Sequence, residues 1–298
     1  MSSTTSKHNN NGAAIIFLVV GLALATTSGA IMKMMTSQME PTMIAWLRFM
    51  GYSILLIPLA FWRAGWHAVS PPRPMIQIIR GVLLAIGNVS FIIGVQYVDF
   101  ADAIAILYVY PFLMILFAPM VLGEKIAGSA WLGVAGGFTG VILVMRPDIF
   151  DLDIYALLIV MTGLMISFQM LMNRKLGVLA DPIVISMWGG LAATVSLTPF
   201  VYHVWIPVVE WPYLTLIILA IISALAQVFM VMGFAMGTAG LLAPFTYSEI
   251  VSAVIIGLIF FGTWPDMIAM AGIILIIGSG VMVARSQGQL TLRRREKL

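Results

Sequence analysis

Five residues of this chain recur at one fixed spacing. Gly94, Tyr108, Gly123, Gly133 and Arg146 return as Gly233, Tyr247, Gly262, Gly272 and Arg285, each 139 positions later and with no gap between them. The stretches that carry them are almost wholly apolar. A chain duplicated in this way builds two copies of one helical bundle, and each copy must find something other than water to cover its apolar faces.

Composition says what that covering is. Of 298 residues, 61% are hydrophobic and 9% are charged, and the mean hydropathy is +1.07. A soluble domain of this size is roughly half apolar and about a quarter charged, so lipid must solvate most of this chain. There is no cysteine, which removes disulfides and thiolate metal sites. The net charge of +3 is weak support for a nucleic-acid partner. Much of the excess sits in a tail, Arg293, Arg294, Arg295 and Lys297, that reads as a cytoplasmic anchor. Residues 1–12 are polar and expected to be a disordered tail; they lack the apolar core and cleavage site of a signal peptide.

Apolar runs of about 20 residues can cross a hydrocarbon core about 30 Å thick. Ten are visible, at roughly 13–35, 41–62, 75–97, 99–121, 128–146, 153–173, 181–201, 211–234, 239–261 and 265–284. Short connections make consecutive spans antiparallel neighbours. With the N-terminus cytoplasmic, the inner segments hold Lys7, Arg63, Arg73, Arg80, Lys125, Arg174, Lys175, Arg285 and the basic tail. The outer segments then hold Lys33 and Arg146 among many acids. The positive-inside bias therefore puts both termini in the cytoplasm.

Five spans per copy is an odd number, so the second copy must enter the membrane from the opposite side. The expected fold is an all-α membrane protein of ten transmembrane helices in two inverted five-helix repeats, 13–146 and 153–285, followed by the tail 286–298. Around the first two spans of each copy the offset shifts slightly: Lys33 matches Arg174 and Glu40-Pro41 matches Asp181-Pro182. Duplicated bundles of inverted topology outline transporters, with a binding site near the midplane where the halves meet.

Polar groups at matched depths give the candidate site. Ser28 matches Gln169, Asn88 matches Gln227, Tyr108 matches Tyr247, and Tyr110 matches Glu249. Each could be interhelical glue, worth about 0.6 kcal/mol on average. Their recurrence in both halves favours a shared cavity. Glu249 stands out, with Thr246 and Ser252 one turn to either side on the same helix face. A central carboxylate costs roughly 2.5–3.5 kcal/mol on insertion scales. It should therefore carry a proton or meet a cation, which makes it a proton-coupling site or an anchor for a solute amine; a neutral glutamic acid bonded to another helix is the plainer alternative. Pro244 is expected to kink the chain beside it.

Arg48 lies about 10 Å along its span from Pro41, at 1.5 Å per residue. It either snorkels outward towards Glu40 or points inward to receive a carboxylate. The matched position in the second copy is Gly189. Trp46 and Trp188 read as interfacial aromatics, and Trp46 is also carried with Arg48 as a candidate for solute contact. Gly133, Gly136, Gly137 and Gly140 in the fifth span, with Gly272, Gly278 and Gly280 in the tenth, allow close helix approach. These two spans read as peripheral packing elements or a homodimer contact. The 22 methionines are adaptable filler.

The run GVQYVDFADAIAILYVYPFLMILFAPMVLGEKIAGSAWLGVAGGFTGVILVMRPD resembles the first EamA repeat of drug/metabolite transporters. The run LLAPFTYSEIVSAVIIGLIFFGTWPDMIAMAGIILIIGSGVMVAR resembles the second. The resemblance implies ten helices in two inverted repeats, a bacterial inner membrane and transport of small organic metabolites. It also implies that Ser28, Asn88, Tyr108, Tyr110, Gln169, Gln227, Tyr247 and Glu249 line the central cavity. The family's Gly-Glu after the fourth helix is kept as Gly123-Glu124, whereas the second copy reads Gly262-Thr263; Glu124 reads as a loop cap or cytoplasmic latch.

The expected function is secondary transport of a small polar or zwitterionic metabolite, such as an amino acid or related amine. It would run by alternating access as an exporter or exchanger, with protons coupled through Glu249. No cofactor, metal or nucleic acid is expected. A passive facilitator or channel is the alternative, although a pore should be polar from end to end. An intramembrane enzyme is disfavoured, because His67 and His203 stand alone and no nucleophile–base pair occurs at helical spacing.

Overall fold

The computed structural model describes residues 11–70, 73–123, 130–145, 153–176, 181–236 and 245–295. Among these, every regular element is helical. The helices are α1 (Asn11–Met35), α2 (Pro41–Ala64), α3 (Pro74–Tyr97), α4 (Phe100–Leu107), α5 (Tyr110–Leu122), α6 (Ala130–Met145), α7 (Ile154–Leu176), α8 (Pro182–Val201), α9 (Tyr213–Met236), α10 (Ser248–Ile256) and α11 (Met267–Arg295). A π-helical turn, Gly257–Phe261, continues α10. Among the described residues, seven helical stretches are long and apolar enough to cross a membrane, and three shorter apolar helices accompany them. Large apolar side chains such as Trp66, Leu214 and Ile259 are mostly exposed, a surface suited to lipid.

Local chemistry explains the helix ends. Pro41, Pro74, Pro111 and Pro182 occupy first-turn positions, where a missing N–H costs nothing. Asp181 caps α8 by accepting from the Ile183 N–H at 2.8 Å. The repeat-matched Gly123 and Gly262 both end their helices in the left-handed region, at φ 67° and 66°. Only glycine takes that conformation without a penalty, which is why both copies keep it although the residue after it differs.

The structure adds detail to the expected spans. The fourth, an apolar stretch over Phe100–Val121, is interrupted between α4 and α5. Pro111 is the physical reason, because its ring clashes with the carbonyl four residues back and it offers no N–H. The ninth span is broken at the matched point, where Tyr247 precedes α10. In addition, α11 runs on from the expected tenth span through the tail to Arg295. Residues 1–10, Glu124, Arg146, Pro244 and Lys297 lie outside the described residues.

Helix contacts are exchanged by the repeat. α1 packs on α9 as α7 packs on α3, α2 on α9 as α8 on α3, and α1 on α10 as α7 on α4 and α5. α2 meets α8, and α6 meets α11. The correspondence reaches single atoms. A Cβ added at Gly94 would stand 3.0 Å from the Tyr155 carbonyl, and one at Gly233 would stand 3.1 Å from the Ala14 carbonyl; Ala14 and Tyr155 are themselves matched. Likewise Gly51 faces Ala220 across α2 and α9, while their matches Ala192 and Gly81 face each other across α8 and α3. α6 and α11 touch backbone to backbone at Gly140 and Gly272.

Candidate functional site

The break in the fourth span delivers Tyr108 to the interior. Its side chain is fully buried, and its hydroxyl lies 2.8 Å from Glu249 Oε2 in the first turn of α10. The same hydroxyl reaches the Thr246 carbonyl. A phenol carries one proton, so both contacts are hydrogen bonds at once only when Glu249 supplies a second proton. In that state Glu249 donates to the Tyr108 oxygen and Tyr108 donates to Thr246. With Glu249 ionised, Tyr108 must turn its proton to the carboxylate. The break thus gives the Tyr108 hydroxyl two alternative acceptors. The start of a helix also suits the ionised form.

Three tyrosine rings cluster at this break, with Tyr108 holding the carboxyl group. Tyr108 lies 5.4 Å, centroid to centroid, from Tyr110 and 5.4 Å from Tyr247. Tyr247 rests against Gly280, where any Cβ would collide with the ring. Among the described residues no cation forms an ion pair with Glu249; the pair described is Arg63 to Asp181, at 3.0 Å on the exposed side of α2 and α8.

A second polar group links α1, α2, α8 and α9. Ser28 Oγ and Ser223 Oγ are 2.8 Å apart, and Arg48 Nε donates to Ser223 at 3.2 Å. Arg48 therefore points inward, over the ring of Phe49, and not towards Glu40. One turn along α9, Gln227 Nε2 donates to Ser186 Oγ at 2.7 Å. The Ser186 carbonyl in turn accepts from the Tyr52 hydroxyl at 3.2 Å.

The expected site residues thus separate into places. Tyr108, Tyr110, Tyr247 and Glu249 meet in one cluster; Ser28, Arg48 and Gln227 belong to the second. Asn88 lies on α3 with its Oδ1 buried and unpartnered. Gln169 is half-buried on α7, and the hydrogen bonds described do not join it to either cluster. Trp46 goes elsewhere. Its Nε1 donates to Thr198 and its ring meets Trp205, which meets Trp211, forming an aromatic girdle at the helix ends. Trp188 donates to the Ala68 carbonyl. An open cavity of about 290 Å³ is lined by Thr36, Ser37, Gln38, Met39, Glu40, Gln96 and Ile206, at the ends of α1 and α3 and apart from both clusters. Among the described residues no group of three metal-ligating side chains occurs.

Sequence reasoning overlooked Arg80. Counted there as an inner-segment charge, it is only 2% exposed, and its Nη1 donates to the Ile185 carbonyl at 2.6 Å. The available signal was its position six residues inside an apolar run, with Gln77 one turn before it. Tyr52, Ser186 and Ser223 were also missed, since hydroxyl groups on apolar helices carry no distinguishing pattern.

Comparison with known proteins agrees with a duplicated transporter. The profile of the EamA-like transporter family matches residues 12–146 and again 153–285. The S-adenosylmethionine uptake transporter of Rickettsia felis is 22% identical over 280 residues, covering 94% of this chain and 95% of that one. The riboflavin transporter of Rhizobium johnstonii is 28% identical over 257 residues, covering 83% and 81%. A solved crystal structure shares the fold at TM-score 0.60 with 19% identity, covering 99% of this chain and 100% of the other.

Proposed function

The chain belongs to the EamA-like transporter family, and from that premise we propose that this multi-pass membrane transporter is a proton-coupled carrier of zwitterionic metabolites. Its ten apolar helices form two oppositely oriented five-helix repeats, and it works by alternating access in a bacterial inner membrane with both termini cytoplasmic. The exchange of matched contacts, down to Gly94 on Tyr155 and Gly233 on Ala14, supports a twofold axis lying in the membrane plane. Such an axis relates an outward-open to an inward-open state.

The observation that carries the coupling is the pair of contacts made by the Tyr108 hydroxyl. Protonated Glu249 is neutral and locked to both halves, which suits the return of an empty carrier. Ionised Glu249 presents a negative charge at the tyrosine cluster, which suits a solute cation through charge and cation–π attraction. Proton and solute cation therefore compete for one carboxylate. Arg48, directed inward, takes the solute's carboxylate at the other end. S-adenosylmethionine, with a sulfonium, an amine and a carboxylate, has this chemistry, and the uptake transporter of Rickettsia felis makes it the first solute to try. Membrane embedding and a small-molecule solute are shared with the relatives; a homodimer through α6 and α11 remains our proposal, resting on their outward faces.

Counterflow in proteoliposomes tests this reading. Trans-stimulated entry of labelled S-adenosylmethionine, inhibited as pH falls, is the expected result. Flux without trans-stimulation would assign the chain to passive facilitators.

A further inference from the structure

Among the described residues, Arg80 is a buried cation with no anion beside it. Its Nη1 donates to the Ile185 carbonyl at 2.6 Å and to Gln77 Oε1 at 3.1 Å. Its Nε is buried without a partner, as are Gln77 Nε2 and Ser53 Oγ. Among the described residues no ion pair holds Arg80 or Arg48. Breaking a buried ion pair is strongly destabilising because one charge is left alone, yet the fold keeps Arg80 buried in that condition and Arg48, half-buried, bonded through its Nε to a neutral serine.

The repeat relates the two. The position matched to Arg48 in the second copy is Gly189. A Cβ added at Gly189 would stand 2.8 Å from Arg80 Cζ and 2.9 Å from its Nη2. Arg80, reaching across from α3, therefore occupies the space that a side chain equivalent to Arg48 would use. Arg48 lies about two turns into α2 and Arg80 at a similar depth from the start of α3. These helices are antiparallel neighbours, so each guanidinium stands nearer a different end of the bundle. Tyr52, one turn after Arg48, sets its hydroxyl 2.6 Å from a Cβ added at Gly190, the residue next to Gly189.

We propose that Arg48 and Arg80 are alternate receptors for one solute carboxylate, with Tyr52 and Gln77 as the neutral donors that hand it from one to the other. The proposal rests on the transport reading above and adds Arg80 as a second receptor for the solute's carboxylate, nearer the opposite end of the bundle. Binding the anion to Arg80 releases the Ile185 carbonyl from its clamp on α3, so loading and opening at that end are one event.

The test uses purified full-length protein and two probes that each carry one pole of a zwitterion: N-acetyl-L-methionine (carboxylate alone) and L-methioninamide (amine alone). Thermal-shift titration of the wild type is expected to respond to both. Arg80→Gln, Arg48→Gln and Tyr52→Phe should each weaken the carboxylate probe by about tenfold, the scale of a lost charge-assisted hydrogen bond, and leave the amine probe within about twofold. Glu249→Gln should do the reverse. Absence of any response to N-acetyl-L-methionine in the wild type overturns the proposal, and so does equal loss of both probes in the arginine variants, which is the mark of a purely structural clamp. Where Arg80→Gln does not fold, Arg48→Gln and Tyr52→Phe separate the same two outcomes. S-adenosylmethionine counterflow judges the transport reading independently of either probe.

Discussion

Tyr108 and Tyr247 stand at matched breaks in the two repeats and face each other across the molecule with ring centroids 5.4 Å apart. One ends α4 and the other precedes α10. The duplicated chain therefore meets itself at its least helical points, and there it places the carboxyl group of Glu249.

Glu249→Gln keeps the shape of the cluster and removes the titrating proton. Its uptake should lose its pH dependence and should fall well below wild type for a cationic solute. Tyr108→Phe removes the bridge but leaves the carboxyl, so pH dependence should persist with a shifted midpoint. Proteoliposome uptake at stepped pH measures both, and unchanged profiles in both variants would remove Glu249 from the coupling.

Packing at the matched contacts should be intolerant in both halves. Gly94→Val and Gly233→Val drive side chains into the backbone carbonyls of Tyr155 and Ala14, an overpacking that costs typically 1–3 kcal/mol. Gly278→Val, where an added Cβ meets nothing within 4 Å, is the control and should be close to neutral. Thermal unfolding in detergent, followed by loss of monodisperse protein, ranks the three.

The two left-handed caps give a paired prediction. Gly123→Ala and Gly262→Ala each force an L-residue to φ near 67° or 66°, where the left-handed conformation costs roughly 1–2 kcal/mol. Both should lower the melting temperature by a similar amount, since among the described residues neither Cβ has a neighbour to strike. A large inequality would mean that the caps do different work in the two repeats.

At the exposed pair of α2 and α8, Asp181 does two jobs and Arg63 does one. Asp181 bonds Arg63 and caps the Ile183 N–H. A surface ion pair contributes about 0–1 kcal/mol, whereas a lost N-cap costs about 0.5–2 kcal/mol. Asp181→Ala should therefore destabilise more than Arg63→Ala, and Asp181→Asn, which keeps the cap, should resemble Arg63→Ala. Melting temperatures of the three variants in detergent check the order.

Much of this architecture was legible in the residues. Apolar runs located the helices because lipid leaves backbone groups no other solvent, and the repeat named Tyr108, Tyr247 and Glu249 because buried polar groups stand out against apolar neighbours. The break in the fourth span was signalled only by Pro111, and a single proline does not say whether a membrane helix bends or stops. Arg80 was misjudged because charge counting assigns a basic residue near a helix end to the loop. Its burial follows from Gly189, a vacancy on another helix that no local pattern reveals. Trp46 was likewise set beside Arg48 by proximity in sequence, although two residues along a helix turn it by about 200° to the aromatic girdle.

The central claim is that the two repeats face opposite sides of the membrane around a shared carboxyl group, and the absence of native cysteine makes it directly measurable. Gln38→Cys and Leu179→Cys occupy matched positions before the second helix of each repeat. In intact cells, an impermeant maleimide is expected to label the first and to reach the second only after permeabilisation. Labelling of both from the same side would contradict the account.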